Sequence, residues 1–486
     1  MASKDHEFVT VPDAIWDIFA DPIAIPGATT SRKYYRQSPE TPVQGQLFGS
    51  QALSRIQFTV NSPLSWFQLN ESYIQMSVTV RQATNQQPYA GASIAFDPAA
   101  SFFQRASLRL GDHTVESSNN LLPVTTWVKR MLSWDRAAAD SQGAAELMCY
   151  HDPVIAPANT TTYPQTVNGP GSTDVNPIVA ATPNPNNPDT PITATPNAAY
   201  SKSFWDRAYL TASGRALTVR VPLSALFSFV NASLPALRAQ NIQIEVEPTA
   251  PQFLLHRVGT ANDGEIVLQD CTLYMKEVVP RSDVNAEILE GIKADRTMIH
   301  QWLQAVTVRS NVNSSNTLSH SSTLVGNPAF VCVTFLPATW HQGSQQSPYH
   351  CSLPPNSIIT RSPFASARLS IGSHSYPEVP FGGTTADLVR MYRLYEEACD
   401  QISESGGGAY LTFPEFCHNA FILTFDVRNR DQGAAVNASA GQSYTLDIQL
   451  NETPSAPWVA YITSFGVMSA ELKHSQLGGL TILPLS

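Results

Sequence analysis

Apolar and polar residues alternate with a period of two along most of this chain, the pattern of strands with one face in a core and one in water. Ile56, Phe58 and Val60 alternate with Gln57 and Thr59, and Ile74, Met76, Val78 and Val80 alternate with Gln75, Ser77 and Thr79. Leu108 and Leu110 run into Gly111-Asp112, a strand entering a turn. Leu121, Val124, Val128, Met131 and Leu132 then recur at helical spacing and predict a short helix packed on the strands. Further strands are read at Ala216 to Val221, Pro222 to Phe227, Asn241 to Glu247 and Leu273 to Val279. Ser282-Asp283 reads as an N-cap with an acidic first turn, and Val284, Ile288, Leu289 and Ile292 form the apolar stripe of the helix it opens.

Beyond that helix the alternation resumes at Val331, Val333 and Phe335, at Ala367, Leu369 and Ile371, at Phe421, Leu423, Phe425 and Val427, and at Tyr444, Leu446, Ile448 and Leu450. A helix from about Asp387 to Asp400 interrupts it, with Leu388, Met391, Tyr392, Tyr395 and Cys399 on one side, and Trp458 to Leu472 ends the series. A chain of 486 residues exceeds what one hydrophobic core supports, since cores stop growing at roughly 250–300 residues. Two halves, each with many short strands and one inserted helix, predict an all-β protein in which a sandwich or jelly roll forms twice, with the boundary near residue 282.

One stretch breaks the pattern. Ten prolines fall between Pro153 and Pro196, and only Asp174 and Asp189 are charged between Pro153 and Ser201. Nothing there can bury a core, so 153–201 is read as a long surface insertion of the first half, because that half's strands resume after it.

Composition sharpens this picture. Charged residues are 14% of the chain, against an average near 25%, while 36 prolines supply turns. The net charge of −10 leaves no broad positive field for nucleic acid. The one dense basic spot, Arg32-Lys33-Tyr34-Tyr35-Arg36, reads as a solvated loop, with contact to genome, membrane or a minor protein as the alternative. Six scattered cysteines without a CxxC pair predict reduced or buried thiols. No charged-then-apolar leader opens the chain and no run of about 18 apolar residues occurs, so neither secretion nor a membrane-spanning helix is expected.

No constellation for chemistry emerges. The chain lacks a P-loop, a GxGxxG after a strand, an HExxH and a GxSxG elbow. Its histidines have no ligand spacing; His350-Cys351 and Cys417-His418, read on strands, would point to opposite faces. Glu396-Glu397 are helix neighbours that diverge by roughly 100° and read as a solvated face. Six Asn-x-Ser/Thr triplets are expected by chance in so Asn- and Thr-rich a chain. No catalytic, cofactor-binding or metal-binding residue is assigned, and no cofactor is expected.

The passage Val219-Arg220-Val221-Pro222-Leu223-Ser224-Ala225-Leu226-Phe227, followed by Leu234-Pro235-Ala236-Leu237 and Asn241-Ile242-Gln243-Ile244-Glu245-Val246, resembles one late in the first barrel of double jelly-roll major capsid proteins. Cys271 to Pro280 resembles the closing strand of that barrel, and Asp283 to Asp295 the helix leading to the second. Tyr410 to Arg428, Tyr444 to Leu450 and Trp458 to Leu472 are similar to the second barrel of the polinton-like virus, virophage and adintovirus group, within the broader adenovirus-hexon-like lineage. The resemblance runs from about Gln46 onward through order rather than any single motif, and 153–201 matches nothing in it.

The resemblance implies two tandem jelly-roll barrels. An N-terminal arm would span 1–45, a first barrel 46–281, a linker helix 282–296 and a second barrel 297–486. It also implies a homotrimeric, pseudo-hexagonal capsomer in the icosahedral shell of a double-stranded DNA virus, built inside the host cell and not an enzyme. Partners would be neighbouring capsomers, penton and minor or cement proteins, a membrane or genome through the arm, and a host receptor or glycan through outer loops. Jelly rolls also carry glycan-binding proteins, for which Trp205 or Trp340-His341 would serve, and a minor capsid or spike protein is the other alternative.

Overall fold

The computed structural model describes residues 29–485 apart from 51–52, 63, 88–91, 95–96, 98–100, 139–181, 185–186, 193–213, 240, 258–263, 295, 313–315, 339–362, 404–407, 419, 429–440, 452–457 and 476–479. Eight principal strands come from the first half: β1 (Thr29–Gln37), β2 (Ile56–Val60), β3 (Trp66–Gln82), β4 (Phe103–Leu110), β5 (His113–Ser117), β6 (Leu217–Pro222), β7 (Ile242–Pro248) and β8 (Gly264–Pro280). Eight come from the second: β9 (Thr297–Asn311), β10 (Thr317–Thr323), β11 (Asn327–Pro337), β12 (Phe364–Ile371), β13 (His374–Phe381), β14 (Leu423–Asp426), β15 (Ser443–Leu450) and β16 (Trp458–His474).

The first half forms the sheets β1-β8-β3-β6 and β2-β7-β4-β5, and the second forms β9-β16-β11-β14 and β10-β15-β12-β13. Adding eight to each strand number of the first half gives the second. Every pairing is antiparallel, and two four-stranded sheets interleaved in this order are a jelly roll. The chain is an all-β double jelly roll. The outermost strand β13 carries Pro377 and Pro380, residues without an N–H that are tolerated at a sheet edge and discourage stray pairing there.

The alternation read from the sequence is the burial pattern of these strands: along β7 each apolar residue from Ile242 to Val246 is buried and each polar one half-exposed. β16 differs, because every residue from Val459 to Gly466 is buried, which requires a covered face on both sides of its sheet.

Helix α1 (Leu122–Ser133) follows β5, and α2 (Leu223–Leu226) follows β6. The segment Pro222 to Phe227 is therefore a single helical turn and not a strand: Pro222 holds the extended N-cap conformation, while Leu223 and Leu226, three residues apart, both reach the core. Helix α3 (Ser282–Lys293) begins where expected, but Ser282 is its first helical residue and Arg281 its N-cap. Arg281 contributes no capping side chain and instead grips Asp283 through two hydrogen bonds of 2.7 and 2.6 Å. Helix α4 (Thr385–Ile402) is opened by a capping box between Thr384 and Asp387, a signal not read in the sequence.

The basic spot Arg32 to Arg36, expected as a solvated loop, lies in β1, paired with β8 from Gln37↔Leu273 to Thr29↔Pro280. The period of two explains it: Tyr35 turns inward against Phe67 at 6.1 Å while Tyr34 faces out. Within the expected surface insertion, Thr182–Asn184 pairs with Asn187–Ile192, and the remainder of 153–201 lies outside the described residues.

Candidate functional site at the seam between the barrels

Buried side chains of both halves join in one continuous core, so the barrels share a seam. Helix α1 builds it. Val124, Trp127 and Met131 of the helix are fully buried; Thr126 and Lys129 tie it to its own barrel by donating to the Ala225 and Ser224 carbonyls at 3.3 and 2.8 Å, and it also lies on β9 and β16. Register places Thr307, Thr463, Cys332 and Thr424 side by side across β9, β16, β11 and β14. This row of small side chains lets helices approach the sheet closely, and its hydroxyls find partners. Thr125 Oγ1 of α1 donates to Thr307 Oγ1 at 2.7 Å, Thr307 meets Thr463 at 2.9 Å, and Cys332 lies 3.7 Å from Thr424 Oγ1. Asn119 Nδ2 donates to the Thr307 carbonyl at 2.7 Å.

The two inserted helices meet there. Tyr395 Oη of α4 donates at 2.8 Å to the Met131 carbonyl in the last turn of α1, with Cys399 Sγ at 3.8 Å from the same oxygen. That carbonyl would otherwise be one of the orphan acceptors at a helix end. Replacing Tyr395 by Phe keeps the ring but leaves that acceptor only the weak thiol donor of Cys399, at a cost of about 1–2 kcal/mol. Urea unfolding of Tyr395→Phe is expected to show a lower midpoint with an unchanged slope; an unshifted midpoint would show that the bond contributes nothing.

Further along, Glu116 of β5 receives Gln304 Nε2 at 3.1 Å on one oxygen and the Phe229 amide at 2.9 Å on the other. A cavity of about 130 Å³ opens beside it, reached by Asn119, Thr125, Lys129 and Thr307. Two histidines of the second half complete the seam. His300 Nε2 donates to the Phe229 carbonyl at 2.8 Å and its ring stacks on Trp302. His474 Nε2 accepts the Arg238 amide at 3.3 Å and its ring lies 5.2 Å from Trp66. Burial pushes both histidines below their ordinary value, and that of His474, with the Arg238 charge adding to it, falls to about 4.

The residues weighed in the sequence for chemistry do not converge here. Cys417-His418 falls on the short helix α5 (Phe413–His418), not on a strand, with Cys417 buried. His350-Cys351, Trp205 and Trp340-His341 lie outside the described residues. Glu396 is half-buried and Glu397 exposed on α4. Cys271, Cys332, Cys399 and Cys417 are free and buried, and burial pushes the thiols of Cys332, Cys399 and Cys417 up to about 12, so none is a ready nucleophile. Among the described residues no group of three or more His, Cys, Asp or Glu could hold a metal. The arrangement holds two barrels in one orientation. Its polar members were missed, although Thr463-Ser464 inside the otherwise apolar run Trp458 to Met468 was a visible signal.

No family model and no curated protein matches the chain. Solved structures do. A cryo-EM structure of the Sputnik virophage superposes with a TM-score of 0.58 at 9% identity, covering 100% of this chain and 93% of that one. The Faustovirus major capsid protein gives 0.53 at 10% identity, covering 96% and 92%. The mavirus major capsid protein gives 0.51 at 11% identity, again covering 96% and 92%. At such identities the likeness concerns architecture, and over nearly its whole length this chain has the double jelly-roll fold of those viral capsid proteins.

Proposed function

We propose that this protein is the major capsid protein of an icosahedral double-stranded DNA virus, three copies of which form a pseudo-hexagonal capsomer. The observation that carries the reading is the seam: two barrels of the same strand order, locked side by side in a fold shared with viral capsid proteins. Three such chains supply six similar barrels, and a threefold ring closes them through one repeated head-to-tail contact. A chain with only 14% charged residues buries wide contact surfaces without desolvating many ions.

In this reading the role is structural and not enzymatic, and the protein's place is the virion shell after assembly inside the host cell. The N-terminal arm spans 1–45 and lends β1 to the first sheet, the first barrel runs from 46 to 281, the linker helix occupies 282–296, and the second barrel starts at 297. The 153–201 insertion stands on the outer surface. Neighbouring capsomers, penton and minor proteins bind the rim, the segment before β1 reaches membrane or genome, and outer loops meet a receptor or glycan.

Light scattering on the purified chain is expected to give about 159 kDa, three times 52.9 kDa, and negative-stain images a near-hexagonal outline. A monomer at high concentration that is stabilised by sugars would replace this reading with a glycan-binding one.

A further inference from the structure

The two barrels are equivalent in topology but not in how the outer faces of their matching sheets are covered. On the second barrel that face, with Thr307 and Thr463, lies under α1. On the first barrel α3 covers only the end near Trp66 and Val278. The rest displays Tyr34, Tyr73 and Tyr274 in mutual ring contact at 5.2–6.4 Å, with Arg36 over Tyr274, Arg220 over Tyr73 and Lys276 over Tyr34. Tyr34 is 44% exposed. Tyrosine and arginine held rigidly by their neighbours are the residues that dominate protein interfaces.

The inserted helices are unequal in the complementary way. Nine of the twelve residues of α1 are buried, because it is held between its own barrel and the next sheet. Only five of the eighteen residues of α4 are buried, on the single stripe Leu388, Met391, Tyr395, Ala398 and Cys399. That stripe repeats the spacing of Val124, Trp127 and Met131 in α1. The same spacing sets Val389 and Arg393 of α4 where Thr125 and Lys129 stand in α1, and Val389 is left 38% exposed. Among the described residues, α1 thus joins its own barrel to the sheet of the other, while the exposed side of α4 and the tyrosine face are each left uncovered.

Resting on the trimeric reading above, we propose that the exposed side of α4, at Val389 and Arg393, docks on the tyrosine face around Tyr34, Arg36 and Tyr274 of a second copy of this chain. The contact repeats between copies what α1 makes within one. It is head-to-tail, so three copies close a ring in which six barrels follow each other through alternating internal and external seams. Arg393 meets aromatic rings, a pairing that offsets the surrounding positive charge.

The test uses two full-length variants. Tyr34→Ala with Arg36→Ala truncates the face, and Val389→Lys places a cation on the helix side opposite it. All three residues are solvent-exposed, and each variant is expected to melt near the wild type. Each alone is expected to weaken association roughly a hundredfold or more and to run as a single chain at micromolar concentration. Mixed one to one, they retain one intact half each, so they are expected to form a dimer and nothing larger. A wild-type trimer with both variants still trimeric, or a mixture that stays monomeric, overturns the contact while leaving the capsid reading standing. A wild-type chain that is itself monomeric overturns the capsid reading instead. If the tyrosine-face variant remains trimeric but loses retention of a single-stranded oligonucleotide, the face serves nucleic acid and the proposal is wrong.

Discussion

Gly466→Ala is expected to lower the melting temperature by about 8 °C or more, although the backbone at Gly466 is ordinary extended strand. The reason is a crossing of chains. The turn between β10 and β11 passes over β16 so closely that a Cβ at 466 would lie 1.7 Å from the Val325 carbonyl oxygen and 2.6 Å from its carbon. Both obstacles are backbone, so no rotamer relieves the overlap. Gly326 in the same turn has φ +52°, and a Cβ there would lie 2.6 Å from the Val467 oxygen. The two glycines let the turn and the strand touch, and β11 absorbs the crossing with a register shift between Pro328 and Phe330. Displacing the turn disturbs a strand that is buried on both faces, which belongs with the largest single-residue effects, about 4 kcal/mol or more. A cooperative unit the size of one barrel loses roughly 2–4 °C per kcal/mol. Gly441→Ala is the contrast: it has φ +76° and nothing within 4 Å of the added Cβ, so only the left-handed backbone is penalised, by about 1–2 kcal/mol. If scanning calorimetry finds Gly466→Ala no less stable than Gly441→Ala, the crossing is not as tight as described.

The same crossing shows where sequence reading stops. Period-two alternation is a local property, and it located strands such as β3, β7 and β15 because each strand's own residues decide which side is wet. The helices α1 and α4 were legible for the same reason, through their apolar stripes. Gly466 and Gly326 look like any other glycines in the sequence, since the demand on each comes from a segment more than a hundred residues away that only the folded register brings into contact. Pro222 to Phe227 reads ambiguously because six residues carry too few positions to tell period two from 3.6. In Arg32 to Arg36 the charges mask the alternation, and the segment is a strand because it pairs with β8 along its length, with Tyr35 turned inward. The seam was least legible, since a threonine such as Thr307 is indistinguishable in sequence from a solvent-facing one until Thr125 and Thr463 are placed beside it. What the sequence did carry was an exception, two polar residues at Thr463-Ser464 inside the otherwise apolar run Trp458 to Met468.

Acidification from pH 7.5 to pH 5 is expected to cost the chain roughly 2 kcal/mol through His474 alone. In the folded protein this imidazole is neutral, accepts the Arg238 amide, lies against Trp66, and is pushed by burial and then by the Arg238 charge down to about 4 from its usual 6.5. The unfolded chain therefore takes up a proton near pH 6.5 that the folded chain refuses until about pH 4. Above pH 6.5 both states are neutral and the full stability is present. Between 6.5 and 4 the unfolded state alone is protonated, so stability falls with pH, and below 4 the loss levels off at about 3 kcal/mol. His300 acts in the same direction, because burial lowers it as well. Protonation would place a charge on its Nδ1, a buried atom that has no hydrogen-bond partner in the seam. Asp283 does not blur this window. Asp283, held at about 2 by its hydrogen bonds from Arg281, loses its contribution only as pH falls below the ordinary carboxylate range. Urea unfolding at pH 7.5, 6.0 and 5.0 is expected to show the decline, and His474→Gln, which keeps an acceptor for the Arg238 amide but cannot take up a proton, is expected to flatten most of it. Equal slopes in the two proteins would place the acid sensitivity elsewhere. Because both histidines bridge the halves of the molecule, the weakening between pH 6.5 and 4 falls on the seam that fixes one barrel against the other.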